Sequence, residues 1–382
     1  MSKPFAAQLE TLREQSLLRS RRQVDSACGP EVGVDGRTLL AFASNDYLGL
    51  AADPALIAAA REGAARYGIG AGASHLVSGH YAPHHALEER LAAFVGLPRA
   101  LFFSSGYLAN LGVVTSLVGP GDAVFSDELN HASLIDGIRL SGAEKQIYPH
   151  LDLAALAAML AASSAPKKLV VTDAVFSMDG DLAPLPALLE LCERHDAWLL
   201  ADDAHGFGVQ GIDGRGSLAH FGIGSPRIVY IGTLGKAAGV SGAFAAGAAE
   251  VIEWLVQRAR TYIFTTGTPP LLAHALLTSI DLIEQGEARR SHLRRLIAQL
   301  RGGLHLKRWR LLDSSTAIQP VVIGENGEAL RVGAALLEAG LWVPVIRPPT
   351  VPAGTSRLRI SLSAAHSAVQ VERLVASLNA LE

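Results

Sequence analysis

The sequence predicts an α/β protein in which a mostly parallel large-domain sheet is followed by a smaller α+β C-terminal domain. Three observations carry that reading. From residue 100 to about 245, short apolar runs alternate with helical patterns, as parallel strands joined by crossover helices require. Several of these runs empty into turns rich in Gly, Ser and Asp, at the strand ends where open α/β sheets bind ligands. From Trp309 the pattern changes to three strands (318–322, 341–345 and 358–361) and two helices (329–339 and 369–381). The expected division is 1–45 as an N-terminal helix and strand segment, 46–275 as the large domain and 276–382 as the C-terminal domain.

In order along the chain, Phe5 to Arg22 reads as an amphipathic helix with a basic last turn of Arg19, Arg21 and Arg22. That turn suits the helix dipole. Thr38 to Phe42 reads as a strand and Ser44 to Gly49 as a polar loop containing Asn45. Asp53-Pro54 opens a helix, with Asp as N-cap and Pro at the first helical position. Gly68 to His80 is a small-residue loop, and His84 to Val95 is helical. Ala100 to Phe103 is a strand whose Ser104-Ser105-Gly106 turn starts a helix. The free amides and the dipole at such a helix start favour a phosphate. Tyr107 beside it either stacks on a ring or packs.

Ala123 to Ser126, Lys168 to Ser177, Trp198 to Asp202 and Ile228 to Ile231 read as further strands, with helices at 153–160 and 185–195 between them. His131 precedes another helix, as a cap or as a ring facing a site. Asp202 follows a buried run, where a carboxylate is costly without a partner, so it should face a cation or a charged heterocycle. His205 lies three residues on. After a returning strand at 242–247, helices are expected at 251–260 and 271–300, the second broken at Gly286.

Composition narrows the function classes. A net charge of −3 gives no basic footprint for nucleic acid. No apolar run approaches the ~18 residues of a membrane span, and the charged N-terminus is unlike a signal peptide. The two cysteines, Cys28 and Cys192, show no metal-ligand spacing and suit a reducing compartment. A cytoplasmic protein without a metal is expected.

The most informative stretch is Gly232-Thr233-Leu234-Gly235-Lys236-Ala237-Ala238-Gly239. Lysine is scarce here, six residues against twenty-seven arginines. An amine forms a Schiff base with an aldehyde and a guanidinium does not. Successive strand ends therefore offer an amine (Lys236), an acid for a positive ring nitrogen (Asp202) and phosphate donors (Gly106, Tyr107) beside a hydroxyl (Thr233). They also offer partners for a phenolic oxygen (Ser177, His205) and a ring that can stack (His131). Pyridoxal 5'-phosphate (PLP) presents all the complementary groups, and its protonated pyridine is an electron sink for a carbanion.

The segment Thr233-Leu234-Gly235-Lys236 resembles the class II aminotransferase lysine signature. The segments 45–50, 175–181 and 202–206 are similar to the α-oxoamine synthases, and the likeness runs from about Arg19 to the last helix. It implies a fold-type I PLP-dependent transferase, a homodimer sharing its active site, that condenses an amino acid with an acyl thioester. Residues 346–355 most resemble the biotin-pathway branch, which implies L-alanine and pimeloyl-CoA or pimeloyl-acyl-carrier protein as substrates. Glycine with acetyl-CoA and the other α-oxoamine pairs are the alternatives.

By the same resemblance, Lys236 bonds the cofactor aldehyde and moves protons, Asp202 pairs with the pyridine nitrogen and His131 stacks on the ring. Ser177 and His205 address the ring oxygen, while Gly106, Tyr107 and Thr233 hold the phosphate. Arg359 takes the amino-acid carboxylate, Arg19 and Thr350 contact the acyl substrate, and Asn45 lies near the reacting atoms. Two departures from the family pattern are Asp173, where Glu is frequent, and Ser74-His75, where Gly or Arg is.

Overall fold

The computed structural model describes residues 4–382. The chain forms two compact units. One comprises residues 50–177 and 182–287, and the other the segment up to Gly49 with 178–181 and 288–382. The boundaries expected from the sequence are 45/46 and 275/276.

In the first unit, helix α1 (Ala82–Val95) precedes strand β1 (Arg99–Phe103), helix α2 (Gly106–Leu117) and strand β2 (Ala123–Asp127). Helix α3 (Ala132–Ser141) and strands β3 (Glu144–Tyr148), β4 (Lys168–Asp173), β5 (Ala197–Asp202), β6 (Ile228–Thr233) and β7 (Ala243–Gly247) follow. The strand order is β1-β7-β6-β5-β4-β2-β3. β7 runs antiparallel to both neighbours, and the other pairs are parallel. Leu169 to Val171, Leu199, Leu200 and Ile228 to Ile231 are all buried. Such continuous apolar runs are what a sheet covered on both faces demands. Val113, Val114, Leu134, Ile138, Ile252 and Leu255 bring helical side chains into the core on one of these faces.

The register places Asp173 opposite Asp202, and Asp202 opposite Ile231. The carboxyl ends of β4, β5 and β6 therefore lie side by side. After β6 the chain turns back through Leu234 to Gly242 into β7. Leu234 N–H donates to Gly242 O at 2.8 Å and Val240 N–H to Leu234 O at 3.0 Å. Gly242 sits at φ +101°, and a Cβ there would lie 2.6 Å from the Phe102 ring, so only glycine closes this hairpin without strain.

The other unit holds a three-stranded sheet (Glu31–Val34, Arg37–Ala41, Leu341–Trp342) and a four-stranded one. The latter is built from Arg310–Leu311, Ile318–Gly324, Ser356–Ser361 and Val345–Ile346 in that order. Its helices include Asn326–Glu338 and Ala368–Leu381.

Several elements differ from expectation. The N-terminal helix ends at Glu14 rather than Arg22, because Ser16 takes φ +55° and Arg347 holds the carbonyls of Ser16 and Leu18. Arg19 is therefore not in a helical turn. The expected strand at 341–345 is two short strands in different sheets. The loop at 68–80 contains a π-helical turn at His75–Gly79. Strand β3 escaped prediction because Glu-Lys-Gln-Ile-Tyr is a polar, largely exposed edge.

Candidate active site

One cavity of about 190 Å³ opens at the carboxyl ends of β4, β5 and β6. It is lined by Gly106, Tyr107, His131, Asp202, His205, Thr233 and Lys236, all expected from the sequence. Asn110, Ser133, Asp173, Val175, Ala204 and Ile231 also line it. Ser177 lies two residues beyond Val175 and is not part of this wall.

Each functional side chain is delivered by a strand end or a helix start. Lys236 sits on the hairpin between β6 and β7, with its Nζ 2.9 Å from His205 Nε2. His205 is buried just past β5. Asp202, the last residue of β5, is 5% exposed. It accepts from Asn110 Nδ2 at 2.6 Å and from Ala204 N–H at 3.0 Å. Both donors are neutral, and among the described residues no lysine or arginine pairs with it. A buried carboxylate solvated by amides but left without a cation fits a pyridinium.

Asp173 faces the same cavity from the adjacent strand, and His131 N–H approaches its Oδ1 at 3.4 Å. Burial, and then the charge of Asp202, hold its carboxyl well above the ordinary range. Asp173 is thus driven toward the protonated form.

His131 caps α3, its Nδ1 2.7 Å from Ser133 Oγ. Its side chain is open on the cavity side, yet the protein around it lowers its pKa by desolvation. The Asp202 charge opposes that lowering and Lys236 adds to it. A neutral ring suits stacking on a cationic heterocycle.

The opening of α2 supplies the anion site. Ser105 caps the helix by accepting Leu108 N–H. The amides of Gly106 and Tyr107 have no partner among the described residues, as expected of a helix's first turn. A Cβ on Gly106 would come within 3.8 Å of Thr233 Oγ1, so the glycine leaves space beside that hydroxyl. Free amides, a helix dipole and a hydroxyl around open space fit a phosphate dianion. Tyr107 is 42% exposed, and its hydroxyl is bound to Asp136.

The remaining expected residues belong to the other unit. Arg359 is buried and donates to Asn45 Oδ1 at 3.0 Å and to Ser361 Oγ at 2.8 Å. Tyr47 Oη donates to the same Asn45 oxygen at 3.1 Å. Arg19 and Thr350 meet at 3.4 Å on the wall of a cavity of about 260 Å³ that Arg347 also lines. Burial, and then the Arg19 charge, lower the pKa of Arg347. Two guanidinium groups in one hollow suit an anionic ligand.

Asn110 was readable in principle. It is the one amide in the apolar helix Gly106–Leu117, four residues past Gly106 and so on the same face. Asp173 satisfies the buried-acid argument that singled out Asp202. Ser133 carried no signal of its own.

The fold and this cavity define a PLP-dependent enzyme of fold type I. The chain belongs to the aminotransferase class I and II family, whose model matches residues 37–378. It is 64% identical to the 8-amino-7-oxononanoate synthase of Herminiimonas arsenicoxydans, over 99% of each chain. Among solved structures it resembles serine palmitoyltransferase from S. paucimobilis with bound PLP. That match has a TM-score of 0.93 and 31% identity, covering 99% of this chain and 96% of the other. The 8-amino-7-oxononanoate synthase of Francisella tularensis matches with a TM-score of 0.78 and 30% identity, over 90% of this chain and 97% of that one.

Proposed function

We propose that this chain condenses L-alanine with a pimeloyl thioester. The products are 8-amino-7-oxononanoate, carbon dioxide and the free thiol, a step toward biotin. The observation that carries the reading is full-length 64% identity to a relative of that name. The cavity agrees with it, uniting an amine, an uncompensated acid and an anion site. Likeness to serine palmitoyltransferase is a likeness of fold at half the identity, and fold alone does not choose a substrate.

When bound, PLP supplies an aldehyde for an amine and a cationic ring that delocalises carbanion charge. Asp202 would meet the ring nitrogen, and Asn110 orients that carboxylate. His131 would lie against the ring face, with Gly106 and Tyr107 amides and the Thr233 hydroxyl at the phosphate. Lys236 Nζ would hold the cofactor at its aldehyde and would serve as the base and acid for protons at the substrate α-carbon. His205 Nε2, 2.9 Å away, keeps that amine oriented and in proton exchange. Ser177 joins His205 as a partner for the ring oxygen. Arg359 binds the alanine carboxylate, with Asn45 fixing its guanidinium, and Arg19 and Thr350 hold the acyl thioester.

The enzyme works as a homodimer with a shared site. It works in the cytoplasm, a reading supported by two free cysteines and by the absence, among the described residues, of any helix fit to cross a membrane. The test is product mass after incubation of the purified protein with each amino acid and each thioester. Alanine with pimeloyl-CoA or pimeloyl-carrier protein should give 8-amino-7-oxononanoate. Product from glycine and acetyl-CoA, with none from alanine, would replace this reading by a ketobutyrate-type ligase.

A further inference from the structure

Away from the cavity, the start of α1 gathers an imidazole cluster that the proposed reaction does not use. His75, His80, His84 and His85 lie with neighbouring ring centroids 4.9 to 6.2 Å apart, and Glu88 follows one turn into the helix. The members are not equivalent. His84 is fully buried with both nitrogens engaged, Nδ1 accepting Tyr81 N–H at 3.0 Å and Nε2 lying 2.8 Å from Thr268 O. His75 is stacked on Tyr262 at 4.8 Å, and its Nδ1 meets His80 Nδ1 at 3.0 Å.

His80 and His85 are exposed, whereas Glu88 is half-buried and spends one oxygen on Phe102 N–H at 2.9 Å. The ligand atoms offered by His80, His85 and Glu88 all lie within 4.8 Å of one another. His85 and Glu88 are three apart on α1 and so share a face, while His80 comes from the segment before the helix. His75 fixes one nitrogen of His80, as outer partners commonly orient a ligating imidazole. His85 also makes a 3.3 Å contact with Glu89, both side chains well exposed, a pair too weak to hold the ring.

We propose that His80, His85 and Glu88 form a binding site for a borderline divalent cation, zinc above all. Two imidazoles and one carboxylate leaving an open position match zinc's preferences. Metal–ligand bonds of about 2.0–2.2 Å need ligand atoms roughly 3.3 Å apart. The two exposed rings can close that gap by rotamer change, with Glu88 as the fixed point. The ion would clip the segment before α1 onto the helix. The sequence expectation of no metal rests on the two cysteines, which show no metal-ligand spacing, and does not weigh His80, His85 and Glu88.

The test is titration of the PLP-loaded enzyme, stripped with EDTA, with zinc against a chromophoric indicator. Wild type should bind one more zinc ion per chain than the His80→Ala/His85→Ala double variant. Glu88→Gln keeps the acceptor for Phe102 N–H and should weaken that site at least about 10–100-fold, as loss of even an outer partner does. His220→Ala and His305→Ala should change nothing. Both cluster histidines are exposed, so their variants should fold even if Glu88→Gln does not. Equal zinc uptake by wild type and the double variant overturns the proposal.

Discussion

Two groups of expected site residues, one in each unit, are organised in opposite ways. Around the β4–β6 strand ends each polar group is set by its own strand or helix start, and neighbours in space come from successive turns of one sheet. In the other unit, Arg359 and Asn45 meet across 314 residues of sequence, and Arg19 and Thr350 across 331. The first group is preorganised by the regular lattice of the sheet. The second joins residues distant in sequence: Arg359 sits on the strand Ser356–Ser361, while Asn45, Arg19 and Thr350 lie outside helices and strands. On the proposed reading, the sheet would fix the cofactor and the second group would be the place to tune substrates.

The largest effect should come from breaking the first group at its centre. Lys236→Ala should abolish the visible band formed with PLP. It should also lower turnover by more than the roughly 10²–10⁴-fold attached to positioned proton transfer alone. Absorbance and steady-state rates check this, and a variant that still turns over at a wild-type rate would dissolve the comparison.

Arg359→Ala probes the second group. It should raise KM for alanine about 10–100-fold, in line with the ~1.5–3 kcal/mol of a hydrogen bond to a charged group. PLP affinity, read from the same band, should be unchanged. Loss of PLP binding in this variant would mean that the two groups are not separable.

The smallest effect concerns Asp203, next to Asp202 but wholly buried. Tyr230 Oη donates to it at 2.8 Å, and the Ser217 amide and hydroxyl at 2.6 and 2.5 Å. Burial, against these donors, pushes its carboxyl up to about 6 from 3.8. For a raised acid the folded state binds the extra proton. This group therefore favours folding increasingly as pH falls from 6 toward 4, and its ionisation costs stability above 6. The slope approaches ~1.4 kcal/mol per pH unit. Urea midpoints across pH 4–7 should show that component in wild type, and Asp203→Asn should lack it. Identical slopes in both proteins would refute the assignment.

How much of this was legible follows the same division. Strand–helix alternation and apolar runs announced the sheet, because burial on both faces leaves a strong local pattern. Lys236, Asp202, His205 and Thr233 were visible as polar residues at the ends of such runs. Asn110 and Asp173 obeyed the same rules without being selected. The halt of the first helix at Glu14 was not legible, since Arg347, more than 330 residues away, holds the carbonyls beyond it. The contact of His75 with His80 was not legible either, because a π-helical turn at His75–Gly79, absent from any simple periodicity, brings the two rings together.

Strand β7 runs against its neighbours, and that reversal has a mechanical consequence for the amine. Both arms of the Lys236 hairpin are ladder members inside the sheet, so the residue is mounted at two anchored points rather than on a swinging tether. Any movement of the amine toward or away from a bound ligand would then need only the side chain, with the backbone staying in place. Regeneration between cycles should therefore need no refolding of the loop, and amide exchange of Leu234 and Val240 should be as slow with product bound as without it.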